Sequence, residues 1–171
     1  MLNFYVTDNG SWVDQFTKLQ LWKLIEYDRI VYMDSDLLPL VNTEGLFSMD
    51  IRQTSRTIEP FEYHFAASPN LLGRGEDGSI NVGIGFNAGF FMLKPDLFVF
   101  DKIWELAMTP GQPWNVHKDM EQGLLNEFFK SSGVVPMSRL DWSWNVKYTP
   151  DEWMAAAKVV HARWCSSLNF R

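Results

Sequence analysis

The chain has 171 residues, 46% of them hydrophobic and 21% charged, which suits one globular domain with a sizeable core. A formal net charge of −6 argues against a general binder of phosphate backbones, whose clustered Lys and Arg release counterions, so nucleic acid is not an expected partner. Cys165 is the only cysteine; it allows no intrachain disulfide or Cys-rich zinc site and fits a reducing, cytoplasmic setting.

In chain order, "SWVDQFTKLQLWKLIEY" (residues 11–27) puts Val13, Phe16, Leu19, Trp22 and, after a drift of face, Ile25 near helical spacing behind a serine able to cap, which predicts a helix. "RIVYM" is short, apolar and β-branched, then meets Asp-Ser-Asp and Pro39, which predicts a buried strand ending in a loop. Residues 69–85 hold five glycines and little periodicity, as expected of a mobile excursion over the surface. "AGFFMLK" reads as a second buried strand, and Pro95 suits the first turn of a helix through "DLFVFDKIWELAM". After a polar loop through His117, "DMEQGLLNEFFKSS" predicts a helix with Leu124, Leu125, Phe128 and Phe129 on one face and Asp119 and Glu121 at its positive end. A short helix over 150–157 and a final strand "KVVHARW" carrying His161 complete a mixed α/β order. No apolar run approaches the ~18 residues that would span a bilayer.

Asp34 and Asp36 therefore lie at the carboxyl end of a strand, where open α/β sheets bind ligands. A lone Asp-x-Asp also serves simply to end a strand and cap a turn. In a haloacid-dehalogenase-type phosphatase the first Asp would be the nucleophile and the second an acid/base. Leu38, where such enzymes carry Thr or Val, and the absence of an Asp-Asp pair speak against that chemistry.

The neighbouring residues carry a resemblance. "KLQLWKLIEYDRIVYMDSDLLPLVNTEGLF" from Lys18 to Phe47 resembles the core of glycosyltransferase family 8, the retaining GT-A-fold group that includes glycogenin and galactinol synthase. "FNAGFFMLKPD" matches its Asn-(Ala/Ser)-Gly segment, "EQGLLNEFF" its Asp-Gln-Gly-Leu-Leu-Asn helix and "KVVH" its metal-binding histidine strand, all in family order. The resemblance implies a GT-A-type mixed sheet flanked by helices. It also implies transfer of a hexosyl group from a UDP-sugar to a sugar or protein hydroxyl, helped by Mn²⁺ or Mg²⁺.

A nucleoside diphosphate leaves poorly unless its developing charge is neutralised, which a hard divalent cation does without proton transfer. Asp34, Asp36 and His161 would form a mixed O,O,N set suited to Mn²⁺, and the resemblance assigns this same set. It also implies donor contacts from Lys18, Asp34, Ser35, Asp36, Asn87, Ala88, Gly89, Glu121 and Gln122, with Glu121 and Gln122 nearest the chemistry. Without it, Lys18 would read as a solvated surface lysine, Asn87-Ala88-Gly89 as a turn, Glu121 as a favourable first-turn charge and His161 as a hydrogen-bonded strand-end histidine.

Three departures stand out. The family usually has Asp where this chain has Glu121, one methylene longer. Only seventeen residues precede Lys18, where family members place elements for the base and ribose, so the amino terminus is expected to be truncated and its exposed edge open to association, including a homo-oligomer. After His161 the family's Gly-x-x-Lys-Pro-Trp is replaced by "ARWCSSLNFR", with Arg163 as a substitute cation. These departures keep a second class open, a non-catalytic GT-A-like module acting through a partner, and leave room for a lost Golgi anchor. No Tyr matches a self-glucosylation site, and the residues leave open same-face attack or double displacement.

Overall fold

A computed structural model describes residues 13–74, 79–111, 120–147 and 151–162. Its centre is a mostly antiparallel sheet built on one long hairpin. Strands β1 (Ile30–Met33), β5 (Ile80–Leu93), β4 (Glu62–Arg74) and β3 (Arg52–Thr54) lie side by side in that order, and β6 (Ser138–Arg139) pairs parallel with β4. A separate two-stranded ribbon joins β2 (Leu37–Pro39) to β7 (Val159–His161). Helices α1 (Leu97–Met108) and α2 (Met120–Phe128) pack beside the sheet, and α3 (Asp151–Ala156) precedes β7. No described helix is long and apolar enough to cross a membrane.

The first helix is present over Val13–Lys23, but it is wound as a 3₁₀ helix. Its buried residues, Phe16, Leu19 and Trp22, recur every three positions, which is one turn of that tighter helix and keeps them on a single stripe. Ile25, predicted to drift onto the same face, lies beyond the helix end and is exposed. The carbonyl of Trp22 accepts the amide of Asp96, which joins this helix to the start of α1. Asp96, not Pro95, is the helix cap: its carboxylate accepts from the amides of Phe98 and Val99, so Pro95 precedes the cap and is not in the first turn.

Trp22 stacks on Phe65, Phe91 and Phe129, with centroids 5.8, 6.0 and 5.9 Å away, and Phe65 stacks on Phe129 at 3.9 Å. These rings, with Leu19, Leu93, Ile103, Leu124 and Leu125, form the main core. A smaller cluster on the other face of the sheet holds Leu46, Ile51, Ala66, Phe90, Met92 and Val159. Leu124, Leu125 and Phe129 are fully buried, as the helical face predicted, while Phe128 is half-buried at its margin.

Two expectations change in the strands. The segment 69–85 is not an irregular excursion, because 69–74 and 80–85 are the paired ends of β4 and β5. Its glycines hid the strand signal because they lack the β-branched side chains that strands favour. In turn, β1 is half-buried at all four positions, not fully buried, and among the described residues it pairs only with β5. The amino-terminal residues 1–12, the segment around His117 and Arg163 lie outside the described residues.

The hairpin register shifts at three places, the largest between Ala67 and Pro69. Ala67 pairs with Phe91 and Pro69 with Phe86, so an advance of two positions on β4 matches five on β5. Pro69 has no amide hydrogen to give the ladder, which favours a break there. The bulge switches the alternation: Phe86 and Ala88 join the main core with Phe91 and Leu93, while Phe90 and Met92 face the smaller one. Asn87, Ala88 and Gly89 lie on this bulge, a device that re-aims side chains beside functional sites.

Candidate active site

Asp34 is held where β1 ends. Its amide donates to the carbonyl of Gly89 at 2.8 Å, extending the β1–β5 ladder by one residue, and its carbonyl accepts from Leu37 at 3.1 Å, closing a tight turn into β2. Leu37 opposes His161 in the β2–β7 register, and the carbonyl of Asp36 accepts the amide of Ala162 at 2.9 Å. That pairing carries His161, 125 residues away in sequence from Asp36, to the carboxylates. His161 Nε2 lies 3.3 Å from Asp36 Oδ1, and one ligand atom from each of Asp34, Asp36 and His161 falls within 4.8 Å of the others. The loop predicted after Asp36 is in fact β2, which is three residues long and ends at Pro39, too short to show a period.

On the other side of Asp34 stands Lys18. Its ammonium donates to Glu121 Oε1 at 2.7 Å, lies 3.0 Å from Asp34 Oδ1 and 3.4 Å from the carbonyl oxygen of Ala88, and sits 5.1 Å over the ring of Tyr32. With its side chain only 11% exposed, Lys18 is not a solvated surface lysine. Tyr32 donates to Asp34 Oδ1 at 2.7 Å, and burial followed by this bond to a carboxylate pushes its phenol well above the usual range.

Glu121 is in the first turn of α2, as predicted, but it is buried. Burial raises its pKa, against the opposing pull of the bond from Lys18. Its second oxygen is buried with no hydrogen-bond partner among the described residues. Gln122, next along, accepts from the Ala88 amide at 3.0 Å and from Asn87 Nδ2 at 2.8 Å. Asn87 Oδ1 accepts from the Gly89 amide at 3.1 Å and from Asn145 Nδ2 at 2.9 Å, and Asn145 Oδ1 meets His161 Nδ1 at 3.0 Å. One polar chain thus runs from α2 through the bulge to β7. Ser35 is exposed in the turn and is not brought into this cluster.

Gly89 is the crowded centre. A Cβ there would come within 2.8 Å of Asn87 Oδ1 and His161 Cε1 and 2.9 Å of Asp34 Oδ2, so three site side chains occupy the space it leaves. The glycine is required here by sterics rather than by a turn.

Three residues of the cluster escaped sequence reasoning. Tyr32 is two positions before Asp34 on one side of β1, and Asn126 is one helical turn after Gln122 on the same face, so periodicity could have found both. Asn126 takes the place of a strand partner, accepting from the Phe86 amide at 2.7 Å and donating to its carbonyl at 2.9 Å where the ladder is broken. Asn145, 1% exposed amid "WSWNV", gave no signal beyond being polar in an apolar run.

A bulged antiparallel hairpin, a short strand leading into Asp-x-Asp and a histidine strand paired with β2 are set together as in a GT-A-type fold. Solved glycosyltransferases share it: GlyE of Streptococcus pneumoniae superposes with a TM-score of 0.59 at 20% identity, covering 89% of this chain and 38% of that one. WbbM, a bifunctional glycosyltransferase, superposes at 0.58 and 17%, covering 92% and 32%. The model for glycosyl transferase family 8 matches residues 1–163, and the chain belongs to that family. An uncharacterised protein of Schizosaccharomyces pombe is 28% identical over 91% of this chain and 50% of its own length. Human glycogenin-1 is 29% identical over 85% and 37%, and galactinol synthase 2 of Solanum lycopersicum 27% over 70% and 38%. The chain therefore spans half or less of the length of these relatives. Family membership displaces the phosphatase reading of Asp-x-Asp.

Proposed function

We propose that the chain carries the donor side of a metal-dependent glycosyltransferase, which moves a hexosyl group from a UDP-sugar, with retention, to a hydroxyl of a carbohydrate or protein. The observation that carries this reading is the meeting of Asp34 and Asp36, from the turn after β1, with His161 from β7. Two carboxylates and an imidazole suit Mn²⁺, with Mg²⁺ as the harder substitute, better than they suit calcium or a structural zinc. Such a cation, when bound, offsets the negative charge that develops on a departing diphosphate.

The chain's own residues supply the rest. Lys18, anchored between Asp34 and Glu121, places a fixed positive charge at the edge of the cluster, where it opposes phosphate or sugar oxygens as a point charge. Glu121, with one buried oxygen still to be partnered, is the acceptor for a donor-sugar hydroxyl. Gln122 and Asn87 are committed to holding the bulge and orient rather than react. The extra methylene of Glu121 brings that acceptor further from α2 than an Asp would reach and is the first place to look for sugar preference.

Isothermal titration of UDP into the chain, with and without Mn²⁺ and with Asp36→Ala, tests the reading. Binding that needs both the metal and Asp36 supports it and directs a screen of UDP-sugars. No binding by a folded chain overturns it in favour of a non-catalytic module acting through a partner.

A further inference from the structure

Backbone amides only donate, which fixes the orientation of every side-chain amide in the polar chain. The Ala88 amide identifies the Gln122 atom at 3.0 Å as oxygen, and the Gly89 amide does the same for the Asn87 atom at 3.1 Å. Asn87 Nδ2 then donates to Gln122. Because Asn87 Oδ1 is an acceptor, the Asn145 atom 2.9 Å from it must be Nδ2; turned over, Asn145 would set two oxygens against each other. Its Oδ1 is left facing His161 Nδ1 at 3.0 Å, a contact that favours the hydrogen on Nδ1.

We infer that Asn145 is a positioning residue: through Asn87 and Gln122 it relays the direction of two backbone amides to His161, holding the ring as its Nδ1–H tautomer with the Nε2 lone pair turned toward Asp36. In that tautomer Nε2 and Asp36 Oδ1 are two acceptors 3.3 Å apart. That is close to the separation of adjacent ligands around an octahedral cation bound at about 2.1 Å, roughly 3 Å. The ring cannot easily evade this setting, since its Cε1 rests over Gly89 in the space a Cβ would need. The inference rests on the donor-site reading only for what the lone pair is used for. The tautomer itself is a property of the metal-free chain.

Nitrogen-15 NMR of the histidine rings in the metal-free, full chain tests it, at a pH where His161 is neutral, with its signals assigned by their loss in His161→Gln. The native chain is expected to show the Nδ1–H tautomer; the Nε2–H form overturns the inference without any variant of Asn145. Asn145→Leu is expected to move the ring to Nε2–H, donating to Asp36, and to lower Mn²⁺ affinity about 10- to 100-fold. Asn145→Asp keeps an acceptor opposite Nδ1 but sets its other oxygen against Asn87 Oδ1, so it is expected to keep the Nδ1–H form while losing the link to Asn87. A Leu variant that folds and keeps the native tautomer overturns the role of the amide. If the tautomer follows Asn145 as expected but the native chain binds no Mn²⁺, the positioning role stands and the metal reading fails.

Discussion

Two regions lean on β5 and are held together in different ways. Below the bulge, Phe91 and Leu93 enter a core of stacked rings with Trp22, Phe65 and Phe129. At the bulge, Asn87, Ala88 and Gly89 enter a chain of amides and charges that reaches Gln122, Asn145, His161 and Lys18. Burial of rings is non-directional, so its strength is spread over many contacts and scales with area and volume. The polar chain is directional, and each group has one partner geometry, so a single change leaves a buried partner unsatisfied and re-aims the site. The core holds the bulge in place; the bulge decides where the site's atoms point.

Ranked by stability, the largest effect is expected in the aromatic region. Trp22→Ala empties the centre of three stacks and is expected to lower stability by about 3–5 kcal/mol in urea unfolding, a large share of a typical domain's total. A loss below about 1 kcal/mol would show that the ring cluster is not the main support.

Gly89→Ala tests the meeting point of the two regions. With three atoms inside 3.0 Å of the new methyl, the variant is expected to lose about 1–3 kcal/mol and its Mn²⁺-dependent UDP binding. Gly45→Ala, where no atom lies within 4 Å, is the matched control and should unfold within about 0.5 kcal/mol of the native chain.

Glu121→Gln is expected to change the shape of the pH profile more than its height. The folded-state pKa of Glu121 is raised by burial, so the stabilisation linked to its protonation is complete below the ordinary carboxyl range and is lost as pH rises through the raised value. Denaturant midpoints measured across that window should fall with rising pH in the native chain and fall less steeply in the Gln variant. Parallel profiles would mean that Lys18 fully offsets the burial.

Among the site variants, Asp36→Ala is expected to have the smallest effect on stability, within about 1 kcal/mol, because Asp36 is about one-third exposed and its charge is screened by solvent. Its effect on metal-dependent binding is expected to be complete. That inversion, with the least stabilising residue the most needed for binding, is the sharpest form of the contrast between core and site.

Much of this was legible beforehand. The three-residue spacing of Phe16, Leu19 and Trp22, the apolar face of α2 and the strand around Phe90 to Leu93 are local patterns, and they announced the helix, the second helix and the core strand. The Asp-x-Asp after an apolar run, the Asn-Ala-Gly segment and the histidine strand likewise marked the residues that the fold gathers. Each of these depends on neighbours within a few positions, which is the range a sequence displays.

Tertiary structure decided the rest, because the determinants are distant. Nothing near Asn145 says that it will meet Asn87, 58 residues away, and only the β2–β7 register brings His161 to Asp36. The five-for-two mismatch opposite Pro69 exists only once β4 and β5 are paired, and it reverses which side chains of "FNAGFF" face the core. Residue types alone specified a donor set; where its lone pairs and charges point follows from pairing between strands that the sequence keeps apart.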